Sequence, residues 1–444
     1  MTPESEMNSS PVKIGLLGLG TVGAGTVNVL ARNQDEIQRR AGRAIQCAKA
    51  CVQDVSKPRG CDLSAVQLTT NVHDILDDPE IGVVVELIGG EATAREWVLR
   101  AIRNKKHVVT ANKALIAKHG QEIFSEANKA GVMVAFEAAV AGGIPIIKTL
   151  REGLAGNRVS RVTGIINGTC NFILTEMREK GRDFTDVLQE AQQLGYAEAD
   201  PTFDIEGVDA AHKLTILAAI AFGMPLLFDS VYTEGVSTVT AEDVANAESL
   251  GYRIKHLGIA SQTEKGVELR VHPALVPKQR LLASVEGVMN AVEIQADAVG
   301  EALFYGPGAG ADPTASAVVA DIVDVVRQLT ADPENRVPHL AFQPDNLNHP
   351  AIVPMEEIET AYYVYCLVSD QPGVLADITA IFAAHKISIS AIEQHHAAGV
   401  QSQVPLMLLT KTTKESNLQG ALKEMADLES VKGKVKRIRV ELEH

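Results

Sequence analysis

The apolar run Val12–Leu17 leads straight into Gly18-Leu19-Gly20-Thr21-Val22-Gly23, and a helical pattern follows over about 22–31. No other feature limits the fold so strongly. G-x-G-x-x-G between a strand and a helix lets the backbone turn tightly and approach a ligand. The helix N-terminus then offers N–H groups and partial positive charge to a pyrophosphate. Glycine fills 35 of 444 positions, so the spacing alone is weak evidence. The strand before it and the helix after it make Gly18, Gly20 and Gly23 a dinucleotide-binding turn.

The surrounding pattern agrees. Strand-like runs at 12–17, 44–52, 82–88, 106–110 and 132–136 alternate with helical ones at 93–104 and 114–130. Continuous Val/Ile/Leu strands separated by helices indicate a parallel sheet buried on both faces. The fold class is therefore α/β, with a doubly wound, Rossmann-type domain over 12–136. Segment 137–330 has another texture: a small-residue stretch (EAAVAGGIP), helices near 144–153, 168–180, 184–194 and 205–222, strands near 252–260, 266–275 and 288–297, and a helix over 314–329. It reads as a second, α+β domain over 137–330 whose last helix is expected to return to the first domain. Prolines 333, 338, 344, 350 and 354 mark 331–358 as a linker. Residues 359–444 read as strands at 362–368, 387–392, 404–410 and 435–442 with helices at 375–385 and 416–428. That βαββαβ order is ferredoxin-like.

A formal net charge of −15 and the lack of a basic run argue against nucleic acid or an anionic membrane as partner. The polar start, MTPESEMNSSPVK, is not a signal peptide. The apolar stretch 214–228 is interrupted by Gly223 and Pro225 and is too short for a membrane span. Five scattered cysteines without metal spacing fit a reducing compartment, so a cytoplasmic location is expected.

Four stretches carry candidate chemistry. Asp54 near the second strand's end favours a free ribose, whereas Lys57 and Arg59 favour a 2′-phosphate; the balance leans slightly to NADP. Thr110-Ala111-Asn112-Lys113 lies at the carboxyl end of a strand, where open α/β sheets bind ligands. Lys113 either meets a bound polar group there or is a surface lysine at a helix start. The run 196–213 holds five carboxylates, one His and one Lys. Asp209 and Lys213 are i,i+4 on a helix that continues apolar nearly all round, so these charges enter a buried element. Unpaired buried acids are costly, and a ligand's ammonium group would relieve several. A lysine in such a setting is a candidate proton donor and acceptor. Finally, Gly306-Pro-Gly308-Ala-Gly310-Ala-Asp312-Pro313 is a second glycine-rich loop, with Asp312 expected as N-cap and Pro313 as the first helical residue.

From Val12 to Leu329 these motifs together (GLGTVG, TANKAL, EAAVAGGIPII, INGTCNFIL, GYAEADPTFDIEGVDAAHKL, GPGAGADPTAS) resemble the homoserine dehydrogenases. Those enzymes interconvert L-homoserine and L-aspartate 4-semialdehyde with NAD(P). DQPGVLADITAIF within 359–444 resembles an ACT domain, a module that commonly binds regulatory amino acids. The resemblance implies Lys213 as catalytic acid/base, Asp209 as an active-site aspartate and Lys113 between cofactor and substrate. It implies Glu198, Asp204, Tyr196, Gly168 and Thr169 as substrate residues. Thr21 and Val22 match cofactor-phosphate contacts, and Gly306 and Gly310 match the loop near the nicotinamide. A sodium site built from loop carbonyls would fall at Glu137, Val140, Gly142 and Ile144. Gln53 stands where many members carry Arg, which weakens the case for strict NADP use. The resemblance further implies a homo-oligomer, dimer or tetramer, and L-threonine as an effector to test. Two other readings compete: another NAD(P)-dependent amino-acid dehydrogenase, or an idle ACT-based amino-acid sensor.

Overall fold

The apolar runs form six parallel strands in the computed structural model, which describes residues 11–329, 336–394 and 403–441. The polar N-terminal start, Pro333 of the linker and Leu442 at the expected end of the last strand lie outside those residues. The strands are β1 (Val12–Leu17), β2 (Ile45–Cys51), β3 (Gln67–Thr69), β4 (Ile81–Glu86), β5 (His107–Thr110) and β6 (Val134–Ala135). Their order is β3-β2-β1-β4-β5-β6. The order of strand addition reverses between β1 and β4, which makes that crevice the ligand position for such a sheet. Val83, Val84 and Val85 are fully buried, as strands covered on both faces require.

The first helix, α1 (Thr21–Arg32), begins where the glycine turn ends. α2 (Gln34–Ala41) and β3 were not legible in the sequence. α2 buries only Ile37 and Ala41, so it shows no apolar stripe. α3 (Ala92–Arg103) and α4 (Lys113–Ala130) follow β4 and β5. Two helices from far along the chain join them: α5 (Val208–Phe222) and α6 (Ala311–Arg327). α6 does return to the first domain as expected, because its Ala315, Val318, Ile322 and Val325 complete the core under β1 and β4. Its start differs from expectation. Gly310 is the N-cap, and the Asp312 carboxylate pairs with Arg32 at 3.1 Å instead of capping.

Backbone packing divides the chain into two units: 1–168, 208–231 and 288–350 in one, and 169–207, 232–287 and 351–444 in the other. The first unit also contains an antiparallel set, Val159–Ile165, Met289–Ala296 and Gly300–Pro307. The last of these strands takes up Gly306, which the sequence placed in a loop.

In the second unit, the C-terminal strands Glu359–Ser369, Ile389–Gln394, Gln403–Thr410 and Val431–Val440 and the helices Val374–Ala384 and Glu415–Ala426 follow the βαββαβ order. Numbered within this set, the strands lie side by side as 4-1-3-2. The final strand also pairs in parallel with Gly266–Pro277, through Ala274–Arg439 and Leu275–Val440. The proline-rich segment is not loose at its end, since Val267 N–H donates to Ala351 O and Val353 N–H to Val267 O. A buried ion cluster reinforces this junction. The Arg439 guanidinium, 1% exposed, donates to Glu415 at 2.9 and 3.0 Å and to Glu234 at 2.9 Å. The Tyr362 hydroxyl donates to Glu415 at 2.7 Å. Among the described residues no helix is long and apolar enough to cross a membrane.

Two histidines hold the strand at the edge of the parallel sheet. Met133 N–H donates to His107 Nδ1 at 3.0 Å, and Val134 N–H donates to His339 Nε2 at 3.2 Å. Both rings must be neutral to accept. Burial lowers each pKa to about 4, with Arg336 beside His107 and Arg151 and Arg336 beside His339 adding to the shift. Unfolded histidine titrates near ~6.5. Their contribution is therefore full above that pH and is lost as pH falls towards 4. In urea titrations at pH 7 and pH 5, His339→Gln should be less stable at pH 7 yet lose less between the two pH values than the wild type. Equal losses would remove His339 as a source of acid sensitivity.

Candidate active site

The glycine turn has the geometry its spacing implies. Gly18 sits at φ 95°, where a Cβ would lie 2.9 Å from Leu87 O. A Cβ on Gly23 would lie 2.5 Å from Gly18 O, so helix and turn touch through bare backbone. Gly20 caps α1, leaving the amides of Thr21 and Val22 at the helix start. Beside this turn, Arg59 donates to Leu19 O and to Asp54 O, both at 2.8 Å. Lys57 is exposed in the same loop.

A cluster of charges gathers on α5 in the same unit. Asp209 is 3% exposed and accepts from three side chains. Lys213 Nζ lies 2.7 Å from its Oδ2, Lys113 Nζ 3.0 Å from its Oδ1, and Asn167 Nδ2 donates to Oδ2 at 2.9 Å. Lys213 also donates to Ile166 O at 2.7 Å. Burial by itself would raise the Asp209 pKa. The two ammonium groups and the Asn167 amide outweigh it and hold the carboxyl well below the usual carboxylate range. The expected i,i+4 pair thus forms, and Lys113 joins it from the start of α4, across 96 positions of sequence (209 − 113). Asn167 and the Ile166 carbonyl were not singled out in the sequence. The Asn beside Gly168 in INGTC was the available signal.

The EAAVAGGIP and GPGAGADP loops also come together in this unit. Gly143 N–H donates to Pro307 O at 2.9 Å, and a Cβ on Gly142 would lie 3.1 Å from Gly308 O. Glu137 is buried; its carboxylate accepts from Ile147 N–H and Lys148 N–H, and its own N–H donates to Asp321 at 2.8 Å. Burial, then the Asp321 carboxylate, push the Glu137 pKa up to about 7. Its side chain caps the helical turn after the loop, which leaves backbone carbonyls as the metal donors implied at Glu137, Val140, Gly142 and Ile144. The loop is buried at all four positions; the Glu137 and Ile144 carbonyls already accept from Val140 N–H at 3.4 Å and Ile146 N–H at 2.7 Å, and a carbonyl's second lone pair is what a cation would use. Oxygen donors of this kind suit a hard cation. Among the described residues no group of three or more His, Cys, Asp or Glu side chains is arranged to hold a metal.

The other expected substrate residues divide between the units. Gly168 closes a segment of the first unit, where a Cβ would meet Val288 O at 2.8 Å. In the second unit, Thr169 Oγ1 donates to Tyr196 O at 2.6 Å and lies 3.5 Å from Asp204 Oδ2. Glu198 is exposed and Tyr196 is 44% exposed, its ring edge-on to Phe172.

A doubly wound sheet with a dinucleotide turn, and a lysine pair shared by one buried carboxylate in the same unit, define an NAD(P)-dependent oxidoreductase. Comparison with known proteins narrows the class. The homoserine dehydrogenase family model matches residues 145–323, the homoserine dehydrogenase NAD-binding model 18–137 and the ACT domain model 362–430. A Pseudomonas aeruginosa homoserine dehydrogenase is 60% identical over 97% of this chain and 99% of its own length. One from Neisseria gonorrhoeae is 53% identical over 98% and 99%. A crystal structure of a homoserine dehydrogenase from Thiobacillus denitrificans superposes with a TM-score of 0.93 at 60% identity, covering 98% of this chain and 99% of that one. A hyperthermophilic archaeal homoserine dehydrogenase in complex with NADPH matches at TM-score 0.60 and 26% identity, over 71% of this chain and 98% of that one. The chain belongs to the homoserine dehydrogenase family, NAD(P)-dependent oxidoreductases of amino-acid biosynthesis, and carries a C-terminal ACT domain.

Removing the shared charge tests the cluster. Asp209→Asn leaves two ammonium groups facing each other without their counterion and should cost about 3–5 kcal/mol of stability. Lys113→Met in the same chain should recover part of it. A denaturation midpoint unchanged in Asp209→Asn would show that the carboxylate does not hold the lysines together.

Proposed function

We propose that this chain interconverts L-homoserine and L-aspartate 4-semialdehyde, with Lys213 moving the proton. The observation that carries this reading is the position of Lys213, between the Asp209 carboxylate and the Ile166 carbonyl, both at 2.7 Å. These acceptors orient the ammonium and leave a further N–H for a substrate oxygen. A bound nicotinamide supplies or accepts the hydride. In aldehyde reduction Lys213 protonates the forming alkoxide; in alcohol oxidation the neutral amine removes the hydroxyl proton. Asp209 keeps both lysines placed, and Lys113 adds positive charge near the reacting oxygen. Glu198 and Asp204 have the charge to receive the substrate ammonium, with Tyr196, Gly168 and Thr169 as further substrate residues by family resemblance.

Within this reading 12–136 holds the cofactor, 137–330 the substrate and the contacts of a dimer or tetramer, and 359–444 the regulatory unit, joined by 331–358. NADP is preferred, with appreciable NAD use: Lys57 is exposed for a 2′-phosphate, whereas Arg59 is engaged by Leu19 O and Asp54 O. The carbonyls of Glu137, Val140, Gly142 and Ile144 hold a monovalent cation such as sodium, which would brace the loop packed against 307–310.

Initial rates with homoserine and each of NAD and NADP test the reaction and the cofactor together. Lys213→Ala should lower kcat by ~10²–10⁴ with the fold retained. Lys57→Ala should weaken NADP more than NAD. Near wild-type turnover in folded Lys213→Ala would overturn its assignment, and equal loss of both cofactors would clear Lys57 of any 2′-phosphate contact.

L-Threonine is the proposed effector of the ACT unit. The turn before helix Val374–Ala384 places Gly373 at φ 98° as N-cap, and the amides beyond it are suited to an amino-acid carboxylate. An effector acts only by binding two states unequally. The full chain is the right material, because the last strand completes the sheet beside Gly266–Pro277. Inhibition by threonine should be non-competitive with homoserine; a purely competitive pattern would place threonine in the active site instead.

A further inference from the structure

A lone carboxylate in the apolar strand β4 has no part in the chemistry above. Glu86 ends the run Val83-Val84-Val85 and is fully buried. In the register of the parallel sheet it stands level with Leu17 on one side and Thr110 on the other. Leu17 leads into the glycine turn and Thr110 into the turn that carries Lys113. Glu86 therefore occupies the middle of the sheet's carboxyl edge, with both ligand-side turns as neighbours.

Both of its oxygens are hydrogen-bonded. Oε1 accepts from Ile88 N–H at 2.9 Å and from Gly89 N–H at 3.3 Å. Oε2 accepts from the Thr110 hydroxyl at 2.6 Å. Thr110 Oγ1 in turn accepts from Asn112 N–H at 3.0 Å. The Asn112 side chain faces both ways: Nδ2 donates to Gly90 O at 2.7 Å, and Oδ1 caps α4 by accepting from Leu115 N–H at 3.1 Å. The next residue is Lys113. A closed chain of bonds thus links the turn after β4 (88–90) to the turn after β5 (110–113), with Glu86 at its root.

A carboxylate removed from water is expensive unless well partnered. Burial raises the Glu86 pKa, and the donors from Thr110, Ile88, Gly89 and Asn112 oppose it. A merely structural position in a Val/Ile/Leu strand would be filled more cheaply by another apolar side chain. The same turn after β4 also abuts the glycine turn, since Leu87 N–H donates to Leu17 O and a Cβ on Gly18 would meet Leu87 O.

We propose that Glu86 is a positioning residue for the reaction, acting through Thr110 and Asn112 to fix the turn that presents Lys113 to the cofactor edge of the sheet. The assignment rests on the functional reading above for what Lys113 does, but its geometry does not. Because the role is geometric, an uncharged group of the same shape at Glu86 retains most of it. Loss of the hydroxyl at Thr110 breaks the link without changing side-chain size.

The test uses the full chain with Thr110→Val, Thr110→Ser, Glu86→Gln and Lys113→Met, and Thr110→Val combined with Lys113→Met. Two readouts are taken: kcat and KM with homoserine, and NADPH affinity from quenching of Trp97, the only tryptophan, which lies in α3 just after the linked turn. Thr110→Val should lower kcat about ten- to hundredfold and weaken NADPH severalfold while still binding one NADPH per chain. Thr110→Ser should restore both, and Glu86→Gln should stay within a few fold of wild type. In the Lys113→Met background Thr110→Val should add little, because both act at one point. Equal effects of Thr110→Val with and without Lys113, or no rescue by serine, would overturn the proposal. If the wild type does not turn over homoserine, the functional reading falls; the Thr110–Lys113 coupling is then decided by NADPH affinity alone, which needs no turnover.

Discussion

One buried carboxylate organises the charge cluster on which the first unit is built. Asp209 sits at the start of an apolar helix and would be strongly disfavoured there as an isolated charge. Two lysines and an asparagine from separate segments reverse that cost. The arrangement is mutual. The carboxylate needs the cations to remain ionised, and the cations need it to lie close together near the carboxyl edge of the sheet. Removing the carboxylate leaves two cations facing each other without their counterion, so electrostatics bind α4, α5 and the 166–167 turn together.

The cofactor side depends on close backbone approach. Gly18 and Gly23 leave no volume between turn, helix and the end of β4. Behind them, Glu86 ties the adjoining turns together, so the carboxyl edge of the sheet is braced by buried hydrogen bonds. In the second unit a different buried network, Arg439 with Glu415, Glu234 and Tyr362, fastens the C-terminal ACT fold onto its neighbouring strands. The ACT unit is therefore part of a larger packed body and shares a sheet with residues far upstream.

Much of this was legible in the chain. The β-strand runs, the G-x-G-x-x-G turn, the Asp209–Lys213 spacing and the βαββαβ order each depend on local periodicity or on residues a few positions apart. Elements with a weak local signature escaped. α2 is polar on most of its surface, and Gly300–Pro307, whose Gly306-Pro307 end reads as loop, is a strand held by its partner Met289–Ala296. The Asp312 cap failed because the helix starts earlier: Gly310 is its N-cap, Asp312 falls in the first turn, and the carboxylate pairs with Arg32, 280 positions away.

The sequence by itself determined the fold class, the dinucleotide turn, the family and the identity of the charged residues. The fold class and the glycine turn follow from steric rules and short-range patterns, and the family from the match of whole motifs. Tertiary structure alone decided which charges meet. It set Lys113 against Asp209, brought Asn167 and the Ile166 carbonyl to the same point, and rooted the Lys113 turn on Glu86. It also returned a helix from residue 311 to the first sheet and fixed the C-terminal strand beside residue 274. The physical reason is the same in each case. Burial makes an unpaired polar group costly, so the partner is chosen by proximity in space, which chain order does not encode.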